Sequence, residues 1–281
     1  MDTDLAARIE RILREFLATE DDKAEKALSG EVAEIFANRG LPTTAEVGDD
    51  AAYDFVFLIS VSGSIDLQNQ ALSKVRKAAA RHELPADAAV FAEARFRQRQ
   101  MEEMDKARQP THPDLREEIE RLTQDDQAVR RIEGFDVQKL AEADQRTKGP
   151  LEAIFSRYGV PTHAMVGIEA AKHFVVMVQH QSPQFRAQVL PKLKDNIDTG
   201  QADPATYAMI FDRLQRDLGK KQLYGSQLEC RSGEELHEAP IEDEGRVNQR
   251  RAELGLMRVE LYARLARENS PPVCGPGKSK E

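Results

Sequence analysis

Apolar residues recur every three or four positions along most of the chain, which is the spacing of one face of an α-helix. Glycines follow two of these stripes, at Gly40 and Gly200, where a left-handed residue commonly ends a helix. The pattern therefore predicts a mostly α-helical protein. The periodic apolar segments begin at Leu5, Ala24, Leu115, Leu190 and Phe211.

One apolar run, Phe174–Val178, fits either a strand or a buried helix. Its β-branched residues suit a strand. The preceding pair Ala170–Ala171 and an uninterrupted pattern from Gly167 to Gln181 favour a buried helix instead. We therefore expect a helix here, with the strand as the alternative.

The signals change after Gly219. A short irregular or hairpin segment is expected near residues 222–245, because turn-forming and acidic residues accumulate there. A final helix is predicted from about Val247 to Arg267. Residues 269–281 are rich in Pro and Gly, and we expect them to form a flexible tail.

The chain contains an internal repeat. Residues 35–42 read IFANRGLP and residues 154–161 read IFSRYGVP, an offset of 154 − 35 = 119. The same offset relates Gly48 to Gly167 and Phe55 to Phe174. We therefore predict two tandem copies of a related helical unit. They would be a degenerate N-terminal copy at 1–109 and a C-terminal copy at 114–268 that carries the site.

Composition narrows the classes of function. Forty basic against forty-nine acidic residues give a net charge of −9, so we do not expect nucleic acid as a partner. The acidic start at Met1–Asp4 lacks the basic segment of a signal peptide, and the longest apolar run is far short of the ~20 residues of a membrane span. We expect a cytoplasmic protein that has no membrane partner and acts on a small molecule. Its oligomeric state is left open.

The two copies differ mainly at polar positions. Gln179–His180 in the second copy replaces Ser60–Val61 in the first, and Asp212–Arg213 replaces Glu93–Ala94. Residues 222–227 have no counterpart in the first copy. This difference predicts one working site, in the second copy, and the alternative is drift at surface positions.

The second copy resembles a bacterial family that is known only as a domain of unknown function. The resemblance rests on six motifs whose order and spacing match over about half the chain. They read DQAVR at 126–130, GVP at 159–161, QH at 179–180, DR at 212–213, QLYGSQ at 222–227 and RR…GL at 250–256. Val160 and Ser226 depart from the usual Trp and Thr of that family. The resemblance implies a mostly helical domain and brings no known reaction.

Three residues of these motifs have side chains suited to acid/base catalysis. His180 titrates near neutral pH, Asp212 is a candidate to hold its tautomer, and Tyr224 can donate a hydrogen bond to a developing oxyanion. His180 is expected on a helix, at the rim of the core. For each residue, a purely structural role is the alternative.

Further residues of the same motifs are predicted to bind the substrate. Amide and guanidinium groups suit a polar or anionic ligand, and Arg250 and Arg251 are expected to begin the last helix. The predicted set is Gln179, Arg213, Gln222, Gln227, Arg250 and Arg251.

A metal site is not expected. His173 and His180 are seven residues apart, about 10.5 Å along a helix, which is too far for one zinc ion. Nothing in the spacing requires His163 to join His180 and Asp212. Nucleotide-binding and nucleophile motifs are missing, so no cofactor is predicted.

Two functions of different classes follow. The first is a metal-independent, non-redox enzyme that uses His180 for acid/base chemistry on a small polar or anionic substrate. The alternative is a non-catalytic module that binds a ligand or a partner protein. A third interpretation treats the polar residues as a purely structural network.

Overall fold

The fold is described by a computed structural model, which covers residues 1–19, 21–130, 137–231 and 235–269. Within these ranges the chain forms fourteen α-helices, one short 3-10 helix at Glu244–Arg246 and a two-stranded antiparallel sheet. The mostly α-helical fold predicted from the hydrophobic pattern is confirmed.

The chain divides into two compact units. Unit 1 takes residues 1–100, 230–236 and the chain from 245 onward, and unit 2 takes residues 101–229 and 237–244. The helices of unit 1 are α1 (Thr3–Ala18), α2 (Asp22–Arg39), α3 (Thr44–Val47), α4 (Asp49–Val61), α5 (Ile65–Ala80), most of α6 (Ala86–Lys106), α13 (Val247–Glu253) and α14 (Val259–Asn269). Those of unit 2 are α7 (Pro113–Arg130), α8 (Val137–Tyr158), α9 (His163–Val166), α10 (Ile168–Val178), α11 (Pro183–Asp198) and α12 (Pro204–Asp217).

Each unit is built around one apolar helix. In unit 1 this helix is α4, which contacts α1, α2, α3 and α5. In unit 2 it is α10, which contacts α7, α8, α9 and α12. Both helices are apolar on most of their surface, and Phe55 and Phe174 at their centres are fully buried. The ambiguous run Phe174–Val178 therefore lies in a buried helix, as predicted.

The helix boundaries recur at the offset found in the sequence. Helices α3 and α9 begin at Thr44 and His163, which are 119 residues apart, and α4 and α10 follow them at the same offset. Gly48 and Gly167 join these pairs with φ of 87° and 84°, a conformation that residues with a Cβ rarely adopt. These parallels are consistent with the proposed duplication.

The final predicted helix is divided in two. Helix α13 ends at Glu253 and α14 begins at Val259, because Gly255 takes a φ of 66° and its N–H bonds back to Ala252 O. Arg250 and Arg251 therefore lie in the last turn of α13, where positive charge is favourable, and not at the beginning of the helix as predicted.

The segment after Gly219 contains the predicted hairpin. Strands β1 (Leu228–Arg231) and β2 (Glu235–Glu238) pair with each other. The cytoplasmic location stays an expectation. The predicted tail beyond Asn269 lies outside the described residues, and none of the described helices combines the length and apolarity that a bilayer span requires.

Candidate functional site

The loop at 222–227 is built around the carboxylate of Asp212. Pro204 begins α12 after an Asp203 cap, and this helix places Asp212 on its buried face, where it is fully enclosed. One oxygen accepts from the N–H of Leu223 at 2.8 Å and of Tyr224 at 3.1 Å. The other accepts from the N–H of Ser226 at 2.9 Å. The observed contacts of Asp212 thus hold the loop backbone.

Two predicted ligand-binding amides also hold this loop. The Gln222 side chain is fully buried, and its Nε2 donates to Ala239 O at 2.6 Å and to Gln227 O at 3.0 Å. Its Oε1 accepts from the N–H of Gln227 at 2.9 Å. Gln227 Nε2 donates to Met209 O at 3.3 Å. Both side chains therefore bond backbone groups of the loop and its neighbours.

Tyr224 projects from this loop onto aromatic residues of α12. Its ring meets Tyr207 and Phe211 edge to face, with centroids 6.2 and 5.7 Å apart. Burial raises the pKa of Tyr207, while a hydrogen bond with Tyr224 acts in the opposite direction. The position of the Tyr224 phenol is thus fixed by ring packing and by the Asp212-bound backbone.

His180 lies just beyond the end of α10. The helix ends at Val178, and the His180 N–H closes a tight turn on Met177 O before Pro183 begins α11. The expected helical placement of His180 is therefore wrong by two residues, although its half-buried position at the edge of the core is as predicted. Gln179 Nε2 lies 3.3 Å from its Nε2.

The electrostatic surroundings keep the His180 imidazole neutral. Burial lowers its pKa to about 4, and the positive charges of Arg130, Arg213 and Arg186 act in the same direction. Asp126 acts against them. A neutral imidazole can accept a proton, so His180 retains the form that a general base requires.

Arg130 belongs to a partly buried ion-pair network. Arg130 donates to both oxygens of Asp126, at 2.9 and 2.8 Å, and also pairs with Asp144 on α8. Asp126 is 1% exposed. Burial alone would lower the pKa of Arg130, but the two carboxylates more than offset it, and the pKa is raised.

Arg186 of α11, another of the cations that act on His180, is almost fully enclosed. One Nη donates to Gln179 O at 2.7 Å and to Gln181 O at 2.5 Å, and the other pairs with Asp217. Burial lowers the pKa of Arg186. Because it bonds both residues that flank His180, Arg186 fixes the turn that carries the imidazole.

The remaining predicted ligand-binding residues differ in their surroundings. Arg213 is exposed on α12 and makes no hydrogen bond or ion pair within the described ranges. Arg250 and Arg251 belong to unit 1. Arg251 is buried there, donates to Met257 O at 2.5 Å and stacks on Tyr262. Of the cations predicted to bind ligand, Arg213 is the one that acts on His180.

Several members of the His180 cluster were not predicted as site residues. Asp126 and Arg130 belong to the DQAVR motif, and their spacing of four on a helix was the available signal for an ion pair. Asp144 and Arg186 are in no motif, and they join the cluster only through packing between helices.

The histidine at 163 is placed elsewhere in unit 2. It is 3% exposed, and its Nδ1 lies 3.6 Å from the carboxylate of Asp105. Burial lowers its pKa. Among the described residues, no group of three or more His, Cys, Asp or Glu side chains is arranged to hold a metal ion.

No curated protein and no solved structure matches the chain. The model of a family of unknown function, DUF6624, matches residues 113–270. This range is more than half of the chain, and it includes all of α7 to α14 and the 222–227 loop. The chain therefore belongs to the family of unknown function DUF6624.

Proposed function

We propose that the protein is a non-redox enzyme in which His180 performs acid/base chemistry on a small anionic substrate. The observation that carries this proposal is a neutral imidazole within the field of three guanidinium groups, those of Arg130, Arg186 and Arg213. Such surroundings attract an anion and leave the imidazole free to accept a proton.

Arg213 is the group best suited to bind the anion. Arg130 and Arg186 are already paired with carboxylates, whereas Arg213 is exposed and makes no ion pair in the described part of the chain. A guanidinium binds carboxylate and phosphate oxygens with two parallel hydrogen bonds. We therefore assign Arg213 to the substrate and the two carboxylate-paired arginines, Arg130 and Arg186, to the geometry of the cluster.

Substrate binding would also activate His180. With a pKa of about 4, the His180 imidazole is a weak base at neutral pH when no substrate is bound. A bound anion opposes the arginine charges and raises the pKa of the imidazole. The base therefore becomes effective when the substrate is present, and Tyr224 supplies a candidate hydrogen-bond donor from the loop that Asp212 holds.

The alternative function is ligand binding without catalysis. It is favoured by the contacts of Asp212, Gln222 and Gln227, which bond the loop backbone. Under this alternative the cluster still binds an anion, but no turnover follows. The two functions therefore share a binding step and differ in the chemistry.

The binding step is tested with the full chain and inorganic phosphate. Phosphate should raise the pKa of His180, measured by NMR titration of its imidazole, in the wild type but not in Arg213→Gln. Arg216→Gln is the matched control, because Arg216 lies on the same helix and forms an exposed ion pair with Glu229. If the pKa of His180 is the same with and without phosphate, both functions are contradicted.

The chemical step is tested by turnover. A panel of phosphate monoesters and carboxylate esters should contain a substrate that His180→Gln no longer converts, while the melting temperature stays close to that of the wild type. Phosphate binding without turnover of any panel member would support the binding module. A large loss of stability in His180→Gln would show that the imidazole is structural.

A further inference from the structure

Unit 1 contains a polar groove outside the proposed site. Its volume is about 470 Å³, within the range of pockets that hold small molecules. The groove is lined by residues of α4, α13 and α14 and by the residue before α14, namely Asp50, Asp54, Asn248, Arg258, Glu260, Leu261, Arg264 and Arg267.

One wall of the groove is fixed by Arg258. Its guanidinium donates two hydrogen bonds to Asp87, at 2.7 and 2.8 Å, and a third to Asp50 at 3.1 Å. It also stacks on the ring of Tyr53, 4.2 Å from the centroid. Because three of its five N–H groups bond carboxylates and its plane stacks on Tyr53, the protein holds Arg258 in one orientation at the edge of the groove.

Two groups in the groove have opposite charge and no direct partner. Asp54 on α4 and Arg264 on α14 attract each other electrostatically, yet neither makes a hydrogen bond or an ion pair with any described residue. Asp54 is half-buried. A half-buried carboxylate without a hydrogen bond is costly, and the cost is relieved when a cationic donor binds it.

The charge balance of the groove indicates the kind of ligand. Three acidic residues, Asp50, Asp54 and Glu260, face three basic ones, Arg258, Arg264 and Arg267. A groove without net charge gives a simple anion or a simple cation little advantage. A molecule that carries both charges satisfies Asp54 and Arg264 together.

We propose that this groove binds a small zwitterion of amino-acid size, with its ammonium group on Asp54 and its carboxylate on Arg264. The site lies within unit 1, so it is separate from the His180 cluster and does not depend on the proposed function. The N-terminal copy contributes Asp50 and Asp54 to this groove, and the other lining residues come from the C-terminal copy.

The ionisation of Asp54 makes the proposal sensitive to pH. Burial raises the pKa of Asp54 to about 6. Arg264 and Arg258 act against this shift, while Asp50 on the same helix and Glu10 on α1 add to it. The carboxylate must be charged to hold an ammonium group, so affinity should fall as the pH drops below about 6.

The experiment is calorimetric titration of the full chain with each of the free L-amino acids at pH 7.5. Propionate and propylamine serve as probes of single charge. At least one amino acid should bind, and both single-charge probes should bind at least about tenfold more weakly. If no amino acid binds, or if propionate binds as tightly, the zwitterion site is wrong.

Variants assign the two contacts. Asp54→Asn and Arg264→Gln should each weaken binding of that amino acid about tenfold or more. Arg76→Gln should not, because Arg76 forms an exposed ion pair with Glu93 elsewhere in unit 1. Unchanged affinity in both groove variants would overturn the proposal.

The pH dependence of the wild type provides a test that needs no variant. Affinity should decrease between pH 7.5 and 5, and in Asp54→Asn any remaining affinity should lose this dependence. A wild-type affinity that stays constant over this range would show that Asp54 does not bind the ligand. Melting temperatures of the variants identify any that fail to fold.

Discussion

The carboxylate of Asp212 accepts hydrogen bonds from the backbone N–H of Tyr224 through both of its oxygens, at 3.1 and 3.2 Å. This contact connects two motifs of the chain, the DR pair of α12 and the 222–227 loop. A carboxylate that accepts from several N–H groups can define a loop without any regular secondary structure. The position of the Tyr224 phenol therefore depends on the hydrogen bonds that the Asp212 side chain accepts.

Replacing Asp212 by Asn should destabilise the protein by about 3 kcal/mol. An amide of the same shape keeps one acceptor, but its NH₂ group would face a backbone donor and leave it unsatisfied in a buried place. Urea unfolding followed by circular dichroism measures the change. The control is Asp195→Asn, an exposed residue paired with Lys192 at 3.8 Å, which should change stability by less than about 0.5 kcal/mol.

If Asp212→Asn retained wild-type stability and lost only turnover, Asp212 would act in the chemistry rather than in the loop. If the variant lost both stability and turnover, limited proteolysis would show whether the 222–227 segment opens locally. We expect faster cleavage within this loop in Asp212→Asn than in Asp195→Asn.

The stability of the protein should depend on the protonation of His180. The imidazole has a pKa of about 4 in the folded chain against an ordinary 6.5. Between these values the unfolded chain binds more protons, so the free energy of unfolding decreases as the pH falls from 6.5 towards 4. His180→Gln should remove part of this decrease, about 1–3 kcal/mol.

Urea unfolding at pH 7 and pH 4.5 measures this effect. The control is His82→Asn, since His82 is exposed and its φ of 59° is tolerated by Asn. Equal pH dependence in wild type and His180→Gln would mean that the imidazole is not buried among cations as described.

Gly255 should not tolerate a side chain. A Cβ there would lie 3.0 Å from the backbone N of Arg95 and 3.1 Å from its Cα, and the φ of 66° is itself unfavourable. We expect Gly255→Ala to destabilise the protein by about 1–3 kcal/mol. Gly30→Ala should stabilise the protein. Gly30 lies in α2 with open space around it, and Ala is the better helix former by about 1 kcal/mol.

Calorimetric melting temperatures of the two glycine variants provide the comparison. If Gly255→Ala melts at the wild-type temperature, the turn between α13 and α14 can move away from α6. The close approach of Gly255 to the backbone of Arg95 argues against such a movement.

Arg258 should not be replaceable by Lys. A lysine keeps the charge but cannot donate two parallel hydrogen bonds to Asp87 or stack as a plane on Tyr53. We expect Arg258→Lys to destabilise the protein by about 1–3 kcal/mol, measured by urea unfolding. Arg76→Lys at the exposed pair with Glu93 should be nearly neutral, and equal effects of the two substitutions would contradict the structural account of Arg258.

The sequence was sufficient to predict the helices and their buried faces. Phe174 was placed correctly in a buried helix because the uninterrupted pattern from Gly167 to Gln181 is longer than a typical strand. The division at Gly255 was missed, because the apolar pattern continues across it and one glycine alone does not show that a helix ends.

The site was harder to predict than the fold. Helical periodicity placed His180 at the edge of the core, but it does not show which distant residues approach that edge. Arg186 and Asp144 meet the turn around His180 through tertiary packing of α11 and α8, for which local pattern contains no signal. The loop contacts of Asp212 were missed for the same reason.

The core of unit 1 draws on both early and late parts of the chain. Ala252 and Leu261 are buried in the same apolar cluster as Ile9 and Phe55. During translation, the first hundred residues therefore emerge from the ribosome before the helices that cover this cluster have been made. That apolar surface stays incompletely covered until residues 247–269 have been synthesised, a period in which chaperone binding or aggregation would compete with folding.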